Sequence, residues 1–237
     1  MNRLDKEMTL RQLVQSRSQA ENYIKLGLVS VNDKVIKKPA FAVGSRDDIQ
    51  LASERYVSRA ALKLASIAEQ FSLDFRDTVV LDIGSSTGGF TDYALQHGAS
   101  KVVAVDVGTE QLHPSLLQNK RIELHEKTDI RNFLSDDTFD YLVADVSFIS
   151  GKDVLPAIKR QMGKQSRLIY MCKPQFEAGR QQTNKGIIKN SSMRRNILKD
   201  FEQWLTTHGF IIVNKADSQV AGTKGNLERF YKLKAAA

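Results

Sequence analysis

The rhythm of apolar and polar positions changes near residue 78. Before it, apolar residues come in small groups among charged ones. A helical pattern starts at Ser16-Arg17 and runs through Ala20 and Ile24 to Gly27, with Ser16 or Ser18 available as its N-cap. In VSVNDKVI, Val29 and Val31 alternate with polar residues, Asn32-Asp33 supplies a turn, and Val35 and Ile36 follow. The expected unit is a helix pair leading into a small hairpin, with polar Ser53-Glu54-Arg55 as a linker. After Thr78, apolar runs of strand length recur at Val79–Ile83, Val102–Val107, Ile122–His125, Phe139–Val146, Arg167–Cys172, Phe210–Lys215 and Arg229–Leu233. Helical patterns over Gly89–His97, Asp153–Gln161 and Ser192–Thr207 separate several of them. Strands alternating with helices predict a parallel α/β sheet. Pro114, Pro156 and Pro174 fall at junctions rather than inside strands.

The 237 residues allow one catalytic domain with a small accessory domain, and 41% hydrophobic content supplies a core. Lys and Arg number 35 against 27 Asp and Glu, a formal net charge of +8. That excess raises the odds of a polyanionic partner. The single cysteine, Cys172, excludes an intrachain disulfide and a thiolate zinc cluster, and it suits a reducing, cytoplasmic setting. No metal site is expected. Neither a signal-peptide core nor a run long enough to span a membrane is present, so no membrane partner is expected.

Candidate chemistry sits at the strand ends. VVLDIGSSTGGF is a strand, a glycine-rich turn and a helix start, a cradle of backbone N–H groups for a ligand. The dinucleotide order G-x-G-x-x-G fails because Ser86 holds its second glycine position. The phosphate-loop order fails because Phe90 stands where a lysine must be. What remains, Asp82, Gly84 and Gly88 as D-x-G-x-x-x-G, resembles motif I of class I methyltransferases. The resemblance implies S-adenosyl-L-methionine as cofactor, its methionine part against the loop that also holds Ser86, Thr87, Gly89 and Phe90. Asp106, at the next strand end with Val107, can accept from ribose hydroxyls. After the third strand, Asp129 and Ile130 stand where this fold holds adenine.

A closer resemblance follows from YVSRAALKL, DIGSSTGGFTD, DVGTEQL, ADVSFIS, KPQFE and GNLERF in that order. Together they resemble the hemolysin A family of FtsJ-like ribosomal RNA 2′-O-methyltransferases. Arg3-Leu4-Asp5, Ser16-Arg17, Ala20, Ile24, Gly27, Val29, Val31 and Asn32 resemble the alpha-L (S-four type) RNA-binding domain. The resemblance implies an RNA-binding domain over residues 1–52, a linker over 53–57, and a catalytic domain over 58–234. The expected fold is a Rossmann-like class I methyltransferase sheet with helices on both faces, preceded by a small α+β domain. The implied partner is ribosomal RNA or a ribosomal subunit, with Arg3, Arg17, Lys25, Lys34 and Arg59 toward the RNA.

The same resemblance carries a catalytic tetrad onto Lys63, Asp145, Lys173 and Glu228, with Asp145 also beside the cofactor. A ribose hydroxyl needs a proton acceptor during methyl transfer, and a lysine serves only if its pKa falls well below about 10.4. Lys63 beside Lys173, and the cofactor's sulfonium, would supply the positive charge for that. Asp145 and Glu228 would orient the two ammonium groups, leaving Lys173 as the candidate base. A cysteine nucleophile for pyrimidine methylation is disfavoured, since Cys172 and Lys173, as strand neighbours, face opposite sides. ADVSF also lacks the Asn-Pro-Pro-aromatic pattern suited to a base amino group. Two other classes are a membrane-lysing protein, for which no insertion segment is visible, and an RNA-binding assembly factor without turnover, against which the full tetrad argues.

Overall fold

The computed structural model describes residues 1–14, 17–25, 27–51, 56–178, 188, 190–220 and 226–236. Ser16, the linker Ser53-Glu54-Arg55 and Gly225 of the last motif lie outside them, as does the side chain of Ser18. The chain divides into two units, Met1–Arg55 and Tyr56–Ala237.

The small unit contains β1 (Asn2–Arg3), α1 (Leu4–Leu10), α2 (Arg17–Lys25), β2 (Val29–Val31), β3 (Lys34–Val35), β4 (Ala42–Val43) and β5 (Ile49–Leu51). The hairpin of β2 and β3 turns at Asn32 and Asp33, both at positive φ (50° and 65°), as a two-residue turn of type I′ requires. β5 pairs with the far side of β2, and β1 pairs with β4; none of β1, β4 and β5 is expected from the apolar rhythm. Leu4, Met8, Ala20, Ile24, Val29, Val31, Val43 and Ile49 form its core. Asp5 is fully buried at the head of α1 and accepts from the guanidiniums of Arg3 and Arg17. The Arg3 hydrogen bond leads in holding its carboxyl down at about 2.

The large unit begins with α3 (Arg59–Ala68) and β6 (Val79–Ile83). Then come α4 (Gly89–Gln96), β7 (Lys101–Val105), β8 (Ile122–His125), β9 (Phe139–Ala144), α5 (Gly151–Arg160) and β10 (Met162–Cys172). It closes with α6 (Pro174–Glu177), α7 (Ser191–Thr207), β11 (Phe210–Asp217) and β12 (Arg229–Ala235). One seven-stranded sheet runs in the order β11-β12-β10-β9-β6-β7-β8. β8, β7, β6, β9 and β10 are parallel neighbours, and β12 is antiparallel to both β10 and β11.

Period-two alternation splits the strands between two cores. Leu81, Ile83, Leu168, Tyr170 and Cys172 face α5 and α7, whereas Val80, Ile169 and Met171 face α3 and α4. Helices therefore cover both sheet faces. β9 stops at Ala144, two residues short of the apolar run, and β10 starts at Met162 through polar Gly-Lys-Gln-Ser with a register shift before Arg167. Pro156 sits inside α5 rather than at a junction. It lies on the exposed side of the helix, where losing one N–H to the Lys152 carbonyl is tolerable.

Candidate active site

The parallel strands of the large unit deliver their carboxyl ends to one edge, where open α/β sheets bind ligands. β6 turns there into α4. Gly84 has φ +76°, and a Cβ on it would lie 2.7 Å from the Asp145 carbonyl oxygen, so the turn passes directly over the end of β9. Gly88 (φ +86°) caps α4, and a Cβ there would lie 2.6 Å from Leu112 Cδ1. One on Gly89 would strike Ser58 Oγ at the head of α3. These last two glycines secure close packing, and neither is among the residues that line the two cavities described next. Ser86, at φ +46°, donates its N–H to Asp106 Oδ2 at 2.8 Å and ties the loop to β7.

Two cavities meet at this edge. The larger, about 520 Å³, is lined by Gly84, Ser86, Asp106, Val107, Asp129, Ile130 and Asp145, all expected. It is also lined by Gln111, Arg131, Ser147, Phe148 and Ile149, among others. The smaller, about 140 Å³, is bounded by Ala60, Asp82, Gly84, Ser85, Ser86, Thr87, Phe90, Asp145 and Ser147. Gly84, Ser86, Asp145 and Ser147 border both.

The carboxylates here differ in setting. Asp82 is buried, and its Oδ2 accepts from the N–H and hydroxyl of Thr91 at 2.9 and 2.6 Å. Burial outweighs those bonds and lifts its carboxyl to about 7. Its Oδ1, like the buried Ser85 Oγ, has no partner. Asp106 accepts from Gly108 N as well as Ser86 N, which fixes its plane. Asp129 is gripped by the Arg131 guanidinium (2.6 Å), which holds its carboxyl below the usual range.

The tetrad forms two ion pairs. Lys173 Nζ lies 2.6 Å from Asp145 Oδ1 and donates to Ser147 Oγ. Lys63 Nζ lies 2.9 Å from Glu228 Oε1, with both side chains largely buried. Cys172 pairs with Arg229 across β10 and β12, and continuing that register by one residue sets Lys173 opposite Glu228. Each lysine is thus matched to its own carboxylate, and Lys173 and Glu228 both sit one residue past the end of the β10–β12 ladder. Glu228 Oε2 is buried and unpartnered. Cys172 is fully buried in the α5/α7 core, and burial pushes its thiol well above the usual value.

Arg59 is exposed in the first turn of α3, one turn before Lys63. In the small unit, Lys25 and Lys34 are exposed, whereas Arg3 and Arg17 spend part of their donor set on Asp5.

Residues missed by sequence reasoning cluster after Asp145. Ser147 lines both cavities and holds Lys173. Phe148 is 92% exposed at φ +65°, with its ring 5.3 Å from that of Phe176. Their signal was the polar-aromatic step after a strand-end acid in ADVSFIS. Among the described residues no His, Cys, Asp and Glu group is arranged to hold a metal, and no helix is long and apolar enough to cross a membrane.

Comparison with known proteins gives one answer. The FtsJ-like methyltransferase family matches residues 56–235, and the S4 domain matches residues 2–49. TlyA of Campylobacter jejuni, a 23S rRNA (cytidine-2′-O)-methyltransferase, is 42% identical over 185 residues, 77% of this chain and 72% of its own. Hemolysin A of Brachyspira hyodysenteriae is 36% identical over 232 residues, 95% of this chain and 97% of its own. A solved structure described as a hemolysin, from Streptococcus thermophilus, matches with TM-score 0.74 at 34% identity, over 99% of this chain and 88% of that one. This chain belongs to the FtsJ-like methyltransferase family, in the hemolysin A group that carries an S4 domain ahead of the methyltransferase sheet.

Proposed function

We propose that this chain methylates a ribose 2′-hydroxyl of ribosomal RNA, with S-adenosyl-L-methionine as donor and a cytidine as acceptor. The observation that carries the reading is Lys173 Nζ held between Asp145 and Ser147, whose residues border both cavities. The cytidine and the ribosomal substrate rest on the Campylobacter relative.

The residues fit the cofactor. Unpartnered Asp82 Oδ1 and Ser85 Oγ suit an amino-acid end in the small cavity. In the larger one, Asp106 has acceptor capacity for ribose hydroxyls, Asp129 and Ile130 suit adenine, and Val107, 71% exposed, gains cover. S-adenosyl-L-methionine supplies an electrophilic methyl group on a sulfonium sulfur. Lys173 Nζ would take up the 2′-hydroxyl proton as that oxygen accepts the methyl group. Asp145 and Ser147 hold Nζ in place. Lys63, fixed by Glu228, offers further donors to the acceptor ribose, and exposed Phe148 offers an aromatic face to its base.

Asp82 makes cofactor affinity pH-dependent. Its folded pKa of about 7 lies above its unfolded one, so the neutral form is the better tolerated, and stability falls as pH rises from about 4 to 7. A cofactor ammonium reverses the preference, so binding below pH 7 expels a proton and weakens by up to about tenfold per pH unit. Calorimetry in buffers of different ionisation enthalpy reads that proton, and Asp82→Asn should abolish it. Pairing of RNA docking over residues 1–52 with chemistry over 58–234 gives another expectation. Lys25→Ala with Lys34→Ala should flatten the log–log salt dependence of RNA binding by about 1.5, with cofactor affinity untouched. Arg3, Arg17 and Arg59 would make further phosphate contacts. The function itself is tested by incubating the protein with methyl-labelled cofactor and naked rRNA or each isolated ribosomal subunit. Label in one of them supports the reading, and none in any of them overturns it.

A further inference from the structure

Lys173 is tied to its surroundings by a second, indirect route. Its Nζ donates to Ser147 Oγ. Three residues on, Ser150 Oγ donates to Glu177 Oε2 at 2.6 Å, and Gly151 N donates to Glu177 Oε1 at 2.7 Å. Glu177 ends α6, the single turn that starts at Pro174 directly after Lys173. The path therefore closes on itself: Lys173, Ser147, the loop to Ser150 and Gly151, Glu177, and back along α6.

Two features show that the site is built around this carboxyl. Gly151 cannot carry a side chain, because its Cβ would strike the Tyr170 hydroxyl and lie 3.1 Å from Glu177 Oε1. Burial also raises the Glu177 carboxyl above its ordinary range, even with the donors of Ser150 and Gly151 and the positive end of α5 against it. A carboxyl placed where its charge is disfavoured is a poor choice for stability alone. Ser150 itself accepts from Lys152 N at the start of α5, so Glu177 serves a different donor, Gly151 N, and through Ser150 Oγ it also fastens the loop ahead of the helix.

Resting on the reading of Lys173 as proton acceptor, we propose that Glu177 is a positioning residue: it pins the Ser147–Gly151 loop to α6 so that Ser147 holds the Lys173 amine in line with the acceptor hydroxyl. Without it the loop is free to shift, and Ser147 no longer fixes Nζ. Cofactor contacts through Asp82, Asp106 and Asp129 belong to other segments and stay, while Ser147, Phe148 and Ile149 of the shifting loop also border the larger cavity, so any loss of cofactor affinity is much smaller than the loss of turnover.

The test compares Glu177→Ala, Glu177→Gln, Ser150→Ala and Lys173→Ala in the full chain, using rRNA substrate and S-adenosyl-L-methionine. Glu177→Ala should lower kcat by roughly 10- to 100-fold while cofactor Kd, from calorimetry, moves by less than about threefold. Glu177→Gln should recover most of that loss, because its amide oxygen still accepts from Gly151 N and its NH2 group can donate to Ser150 Oγ. Ser150→Ala cuts the same link from the loop side, should also lower kcat, and decides the matter if Glu177→Ala does not fold. Wild-type kcat in Glu177→Ala, or in Ser150→Ala, beside a dead Lys173→Ala overturns the positioning role and leaves the reading of Lys173 standing. Equal losses of kcat and cofactor affinity in Glu177→Ala without recovery in Glu177→Gln also overturn it. Turnover retained by Lys173→Ala instead removes the reading on which the proposal rests.

Discussion

Lys173→Ala should bind cofactor with near-normal affinity and lose nearly all turnover, on the order of 10²- to 10⁴-fold. The amine lies 2.6 Å from Asp145 and touches Ser147 at the place where the two cavities join. Its removal leaves the turn after β6 and the carboxylates of Asp106 and Asp129 unchanged, so the loss falls on kcat. Cys172→Ser is the contrasting variant. Cys172 is fully buried among apolar residues of β10, and burial disfavours its thiolate, so it has neither access nor nucleophilicity. Most activity should remain, with some loss of stability from a hydroxyl in the core. Single-turnover rates with calorimetric cofactor Kd separate the two expectations. A folded Cys172→Ser without activity would restore covalent catalysis on a base.

The second large effect is expected at Gly84. Gly84→Val puts a β-branched residue at φ +76°, with its Cβ 2.7 Å from the Asp145 carbonyl oxygen. That contact is backbone, so it cannot be relieved by rotating a side chain. Either the β6–α4 turn leaves the cavity or the end of β9 moves, taking Asp145 with it. Cofactor binding should fall at least about 100-fold, and turnover with it. The glycine serves the close approach of two strand ends, not only the approach of the cofactor. Unchanged calorimetric binding in a folded variant would show that the loop does not hold the cofactor.

The large sheet was legible because its strands bury alternate residues in two separate cores. Leu81 and Ile83 go one way and Val80 the other, so the apolar runs stand out. Among the strands of two or three residues, β2 and β3 showed through Val29, Val31 and the Asn32-Asp33 turn, but Asn2 and Arg3 pair with Val43 and Ala42 without any apolar alternation of their own. The polar start of β10 was hidden for the same reason. Strand-end acids were legible as single positions, but their pairing was not. Lys63 meets Glu228 across 165 positions of sequence, and only the family resemblance suggested that they belong together. Ser147 and Glu177 escaped notice because their meaning lies in bonds to Lys173 and to Ser150, each 26 or 27 positions away. Local spacing carries turns, caps and strand rhythm; it does not carry a ring closed by tertiary contacts.

The central claim concerns the atom that receives the methyl group. A methylated 2′ oxygen cannot attack the neighbouring phosphate, so its linkage survives alkali while ordinary RNA linkages break. The direct measurement is alkaline hydrolysis of rRNA labelled by the protein, followed by nucleoside analysis of the product. The expected result is label in an alkali-resistant dinucleotide that yields 2′-O-methylcytidine. Label released in mononucleotides, with the methyl group on a base, would contradict the account.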